Sequence, residues 1–170
     1  MKSVIITIVL LLGLYSCSSK HGNTDPYYTD HGDWDDVRFP LMKPYEALCL
    51  KGSHDWIVQT TQNAESFFSA PCTRKLNIVD GIILLYSTKT ILNGANVKEA
   101  WFVLDPAKHI EKGFATHNEY FHYLQGLGVK NEPELYVIDK VSQYFGDNDT
   151  IDWGLIDKNW SYKLPRKKTQ

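Results

Sequence analysis

The chain has 170 residues and a formal charge of −2, from 18 basic and 20 acidic side chains. That near-balance excludes the strongly basic surface that a nucleic-acid partner demands. Seven Phe, ten Tyr and five Trp exclude a disordered chain and favour a packed, sheet-containing domain.

Lys2 supplies a short positive start, and residues 4–15 are apolar apart from Thr7 and Gly13. A bilayer core of ~30 Å needs roughly 20 apolar residues, so this run is too short to span one. Its length suits the apolar region of a secretory leader. The run Leu14-Tyr15-Ser16-Cys17 resembles the lipobox of bacterial lipoproteins. The resemblance implies that a leader of residues 1–16 is cut before Cys17, which carries the lipid and becomes the new N-terminus. The alternative, an ordinary signal peptide with an incidental cysteine, is disfavoured because such a cleavage site prefers small residues at both key positions. Each buried methylene of an acyl chain adds ~0.8 kcal/mol, so several chains together hold firmly. Residues 17–36 then form a polar, acidic tether, which keeps the domain clear of the lipid. Removing the leader leaves 154 residues with 17 basic and 20 acidic side chains, enough for one core. The expected address is the bacterial cell envelope, at the outer membrane or the periplasmic face.

The globular domain is expected over residues 37–162. Arg38-Phe39-Pro40 leads towards the first strand, and "YEALCLKGSHDWIVQT", residues 45–60, reads as a hairpin around Gly52-Ser53. Cys49 and Cys72 are an even pair in an exported protein. Bridged, they would close a loop of about two dozen residues and contribute roughly 3 kcal/mol. Left apart, they are two buried thiols packing as small hydrophobes. "TQNAESFFSAPCTRK", residues 61–75, reads as a connecting loop because Asn, Ser and Pro break its periodicity.

Asn93-Gly94 lies between two β-prone runs and favours a type I′ turn, since both central residues need positive φ. A two-residue loop there sets Tyr86 opposite Trp101, Leu84 opposite Val103, Leu85 opposite Phe102 and Ile83 opposite Leu104. Both faces of this pair are apolar, which predicts a central hairpin covered on both sides. Lys89 and Lys98 meet near a solvated tip, and Gly81 marks a bulge.

After Asp105-Pro106 the period lengthens. Thr116 and Glu119 form a capping box, Tyr120, Leu124 and Leu127 share one helical face, and Gly128 supplies the left-handed stop that lets Val129 fold back. A second helix is expected over 132–145, capped by Asn131 with Glu134, its apolar face built on Leu135, Ile138, Val141 or Ser142, and Phe145. The segment "ELYVI" alone reads equally well as a strand. Trp153 and Trp160 should pack onto the domain, and 163–170 is a basic, solvated tail. The layout is α+β: an antiparallel sheet built from hairpins, with two helices from the C-terminal half packed against it.

Residues able to carry chemistry are present but badly spaced for it. "DHGDWDD", residues 30–36, lacks the alternating ligands of a calcium loop, as does "DNDTID", residues 147–152. "GSHD", residues 52–55, holds the three residue types of a hydrolase triad, but adjacent side chains cannot form the relay. His117 and His122 are five apart, whereas a helix chelates one metal through histidines four apart. No cofactor and no metal site is implied. Asp33, Trp34, Asp35 and Asp36 instead suit a protein-binding epitope, because Trp anchors recur at interface centres. The function expected is a lipid-anchored, non-catalytic envelope protein that binds a partner protein, one version being an immunity or inhibitor lipoprotein. The alternatives are an assembly subunit of an envelope complex, or an envelope hydrolase built from distant residues such as His54, Asp80 and His109.

Overall fold

The computed structural model describes residues 25–62, 64–153 and 156. Its centre is the hairpin made by β5 (Ile82–Leu92) and β6 (Ala95–Asp105). Asn93 and Gly94 both take positive φ, 50° and 78°, and the ladder runs with Tyr86 on Trp101, Leu85 on Phe102, Leu84 on Val103 and Ile83 on Leu104. Alternation then separates two cores: Ile83, Leu85, Phe102 and Leu104 join one, Leu84 and Val103 the other. Lys89 and Lys98 are both exposed at the tip, as expected.

The remaining strands extend this hairpin on both sides: β1 (Asp36–Pro40), β2 (Tyr45–Leu50), β3 (Trp56–Thr60), β4 (Ser69–Val79) and β7 (Ile110–Phe114). All seven form one antiparallel meander in chain order. Three assignments change here. Asp36–Pro40 is itself the first strand, because Val37 and Phe39 pack inward while Arg38 is held by a buried acid. The second half of the expected loop, from Ser69, belongs to β4. Gly81 is no bulge: Asp80 and Gly81 take φ of 50° and 78° and close a tight hairpin with Val79 paired to Ile82. Asp-Gly carries the same turn signal as Asn-Gly.

The bulge lies elsewhere, at Pro71-Cys72. Cys72 has φ 53°, and the register with β3 slips by one residue across it, while the register with β5 slips by one at Arg74. A bulge bends its strand. Neighbouring strands lie about 4.8 Å apart, so a flat sheet would hold β2 and β7 roughly 24 Å apart. Instead the Tyr45 hydroxyl donates to Glu111 of β7 at 2.8 Å. The sheet is therefore strongly curled, with Phe39, Trp56 and Val58 of β1–β3 sharing a core with Leu76 and Phe102 of β4 and β6.

Helix α1 (His117–Gly126) covers the outer face through Tyr120 and Leu124. Thr116 accepts the Glu119 amide at 3.3 Å and donates its hydroxyl to the Glu119 carboxylate at 2.9 Å. At the other end Val129 N–H reaches Leu124 O and Gly128 N–H reaches Gln125 O, a Schellman motif. Leu127 stays 38% exposed and leaves the expected face.

The second helix starts later than expected. Residues 136–137 form β8 (Tyr136–Val137), and α2 runs Ile138–Asn148 with no side-chain cap at Val137. Asn131 and Glu134 do not cap it. The reason is tertiary: β4 has 11 residues and β3 only five, so Lys75 and Leu76 keep an open edge that Val137 and Tyr136 fill. From there α2 buries Ile138, Val141, Tyr144 and Phe145 in the inner core, with Trp153 against it. Trp160 lies outside the described residues.

Candidate functional site

The segment ahead of β1 is tied to the domain by one arginine. Arg38, 6% exposed, gives Nε to Glu46 Oε2 at 2.8 Å and Nη1 to the carbonyls of Tyr27 at 3.0 Å and Asp30 at 2.8 Å. Its guanidinium also lies over the Tyr27 ring at 4.8 Å. A buried cation needs such a set of partners. The tether assignment therefore does not hold from Asp25 onward, where the chain folds back onto the sheet. Asp25 itself pairs with Lys43, and that bond holds its carboxyl below the usual range.

Within this segment the backbone of the Trp34 loop is held at almost every position. Asp30 accepts the Gly32 amide at 3.0 Å, Asp36 accepts the Asp33 amide at 2.8 Å, and Arg38 N–H donates to His31 O at 2.9 Å. Lys51 closes it from the β2 side. Its Nζ donates to the carbonyls of Asp33 at 3.0 Å and Trp34 at 2.7 Å, and its amide donates to Asp35 O at 2.9 Å. Gly32 is required: a Cβ there would stand 2.2 Å from Asp36 Oδ1 and 3.0 Å from Arg38 N. The product is a Trp34 side chain 86% exposed on a locked loop, with exposed Asp33 and Asp35 beside it. Asp36 is spent inside the loop, so the four expected residues divide into one brace and three presented groups. Leu50, 67% exposed, pairs with Asp36 at the same end of the β1–β2 hairpin.

The other sequence candidates do not converge. Ser53, His54 and Asp55 form a turn in which Asp55 pairs with Arg74 at 2.8 Å and His54 O accepts from the same guanidinium. His54, Asp80 and His109 lie exposed in three separate turns, and no hydrogen bond or ion pair joins them among the described residues. His117 pairs with Glu132 at 2.6 Å and faces Trp101, while His122 is exposed. His31 stacks on Phe145 and meets Asp149 at 3.1 Å. Among the described residues no three His, Cys, Asp or Glu side chains gather as a metal site.

Cys49 and Cys72 are both free, which corrects the bridge weighed above. They stand on β2 and β4 with β3 between, about two strand spacings or ~9.6 Å apart, beyond the reach of a disulfide. Cys49 is buried, and burial pushes its thiol pKa up, with the Asp139 and Asp55 carboxylates adding to the effect. Cys17 and the basic residues 163–170 lie outside the described residues.

Two clefts have no counterpart in the sequence expectations. One, of about 580 Å³, has Lys75, Tyr86 and Trp101 on its floor and residues 132–135 as its wall. The Tyr86 hydroxyl there is pushed up in pKa by burial and by its bond to Glu99. The other, of about 650 Å³, lies between Tyr45, Ser66, His109 and Glu111. Burial, then the Glu111 carboxylate, pushes the Tyr45 hydroxyl up. Legible turn chemistry at Asp80-Gly81 would have set Lys75 opposite Tyr86 and so revealed the first floor.

Compared with protein-family models, curated proteins and solved structures, the chain shows no match. No helix among the described residues is long and apolar enough to cross a membrane.

Proposed function

We propose that this chain is a lipid-anchored, non-catalytic protein of the bacterial cell envelope that captures a partner protein on the Trp34 loop. The lipobox-like Leu14-Tyr15-Ser16-Cys17 supports the anchor. The observation that carries the binding role is Trp34, 86% exposed although its backbone is fixed by Lys51. Leaving a large aromatic in water forgoes about 1.5–3 kcal/mol of burial, and a rigid loop lowers the ordering cost when a partner covers it. Asp33 and Asp35 beside it favour a partner with a basic rim. An immunity or inhibitor protein fits this description, with Trp34 seated in the cleft of the enzyme it blocks.

The test is a photo-crosslinker placed at position 34 of the acylated chain in intact cells. The expected result is one discrete protein adduct that disappears with Asp33→Lys plus Asp35→Lys, while mass spectrometry finds lipid on Cys17. A smear of adducts, or a discrete one indifferent to those charges, overturns the binding role. Unmodified Cys17 overturns the anchor. Recovery of the adduct in a stable stoichiometric complex would favour the assembly-subunit alternative.

A further inference from the structure

The outer face of the curled sheet carries a row of side chains that α1 covers only in part. Antiparallel pairing sets Lys75 opposite Tyr86, Tyr86 opposite Trp101 and Trp101 opposite Phe114. Directly paired residues project from the same face. Helix α1 closes over Phe114 and touches one side of Trp101, through Tyr120 and His117. Lys75 and Tyr86 lie beyond it, in the cleft of about 580 Å³ walled by residues 132–135. That volume is in the ordinary range for a bound small molecule.

The lining has two chemical parts. Its floor is aromatic, the Tyr86 and Trp101 rings standing 5.2 Å apart at 46°. Its rim mixes donors and acceptors. Glu132 and Glu134 line it, Glu132 pairing with His117 at 2.6 Å, while Glu99, outside the lining, accepts from the Tyr86 hydroxyl at 3.0 Å. A carboxylate that accepts one hydrogen bond keeps further lone pairs. Lys75 has no ion-pair partner, and the Trp101 indole N–H no hydrogen-bond partner, among the described residues.

We propose that this cleft binds a neutral saccharide. A pyranose ring presents an apolar face of C–H groups, which packs on an aromatic ring, and a rim of hydroxyls that both donate and accept. Carboxylates need donors, while an ammonium and an indole N–H need acceptors. A sugar hydroxyl rim serves both at once. A nucleotide would stack on the same floor, but its phosphate would face two carboxylates against one lysine. The cleft lies on the outer sheet face beside α1, and the Trp34 loop precedes the β1 edge, so this site stands whether or not the partner-binding role does.

The experiment is calorimetric titration of the purified full-length chain, kept in a sugar-free detergent, with cellotriose, maltotriose and the N-acetylglucosamine trimer, and with adenosine monophosphate as the competing class. Saturable binding of at least one trisaccharide is expected, weakened at least about tenfold by Trp101→Ala and unchanged by Trp34→Ala. Tyr86→Ala and Lys75→Ala, both at the open side of the cleft, should weaken it in protein whose circular dichroism is unaltered. These keep the test sharp if Trp101→Ala misfolds. Failure of all three trisaccharides to bind at ~10 mM, binding indifferent to the Tyr86 and Lys75 variants, or preference for adenosine monophosphate overturns the proposal.

Discussion

Arg38 and Glu46 are 6% and 8% exposed and meet at 2.8 Å. Removing one member of such a pair leaves an uncompensated buried charge, at a cost of about 3–5 kcal/mol, a large share of the 5–15 kcal/mol typical of a domain. Arg38→Ala should therefore lower the urea midpoint sharply. Replacing both residues with apolar ones should recover only part, since the carbonyls of Tyr27 and Asp30 would still lose their donor. Tyr120 presents the opposite case. Its ring is fully buried, its hydroxyl has no partner among the described residues, and burial pushes its pKa up. An unsatisfied buried hydroxyl costs about 1–3 kcal/mol, so Tyr120→Phe should hold or raise the melting temperature. A fall would show that the hydroxyl has a partner. Neither behaviour was legible beforehand, because Arg38 reads as a surface charge and Tyr120 as one of several helix-face apolars until their neighbours are known.

The elements separate by how local their causes are. Helix α1 was readable from its ends, Thr116 with Glu119 and Gly128 with Val129, because both caps act within five residues. Thr116→Ala should cost about 1 kcal/mol, with faster amide hydrogen exchange at Glu119 and little change in the β5–β6 hairpin. That hairpin was readable too, since Asn93-Gly94 sets the register for the strands on either side. The start of α2 was not, because "ELYVI" suits helix or strand, and the open edge of β4 decided in favour of two residues of strand. The Trp34 loop offers a sharper comparison. Gly32 and Gly52 have similar φ, 88° and 85°, but a Cβ at Gly52 meets nothing within 4 Å while one at Gly32 collides with Asp36. Gly52→Ala should show only the left-handed backbone cost, about 1–2 kcal/mol. Gly32→Ala should cost clearly more by chemical denaturation and should release the Trp34 loop.

For the whole molecule, the acid limb of stability follows from carboxylates tied down by folding. Asp105 holds the Lys108 ammonium at 2.8 Å and the Lys108 amide at 3.1 Å, and those bonds lower its pKa. With a folded pKa below the ordinary value of about 3.9, the unfolded chain binds more protons in the window between the two. Stability from this group is then complete above that value and is lost as pH falls through the depressed one. Asp105→Asn should flatten that limb in thermal melts between about pH 5 and pH 2, and an unchanged slope would assign it elsewhere.

By itself the sequence determined the α+β class, the register of the central hairpin and the ends of α1. Each depends on residues close along the chain, where φ preferences and period act directly. It also singled out Trp34, as an aromatic set among acids. Only the tertiary structure decided the bulge at Cys72 and the curl of the sheet, the parting of Cys49 from Cys72, the brace that holds Trp34 in water and the aromatic floor beside residues 132–135. Those depend on which strand lies beside which after the sheet bends. One-residue slips in β4, invisible to periodicity, shift its register against both neighbours.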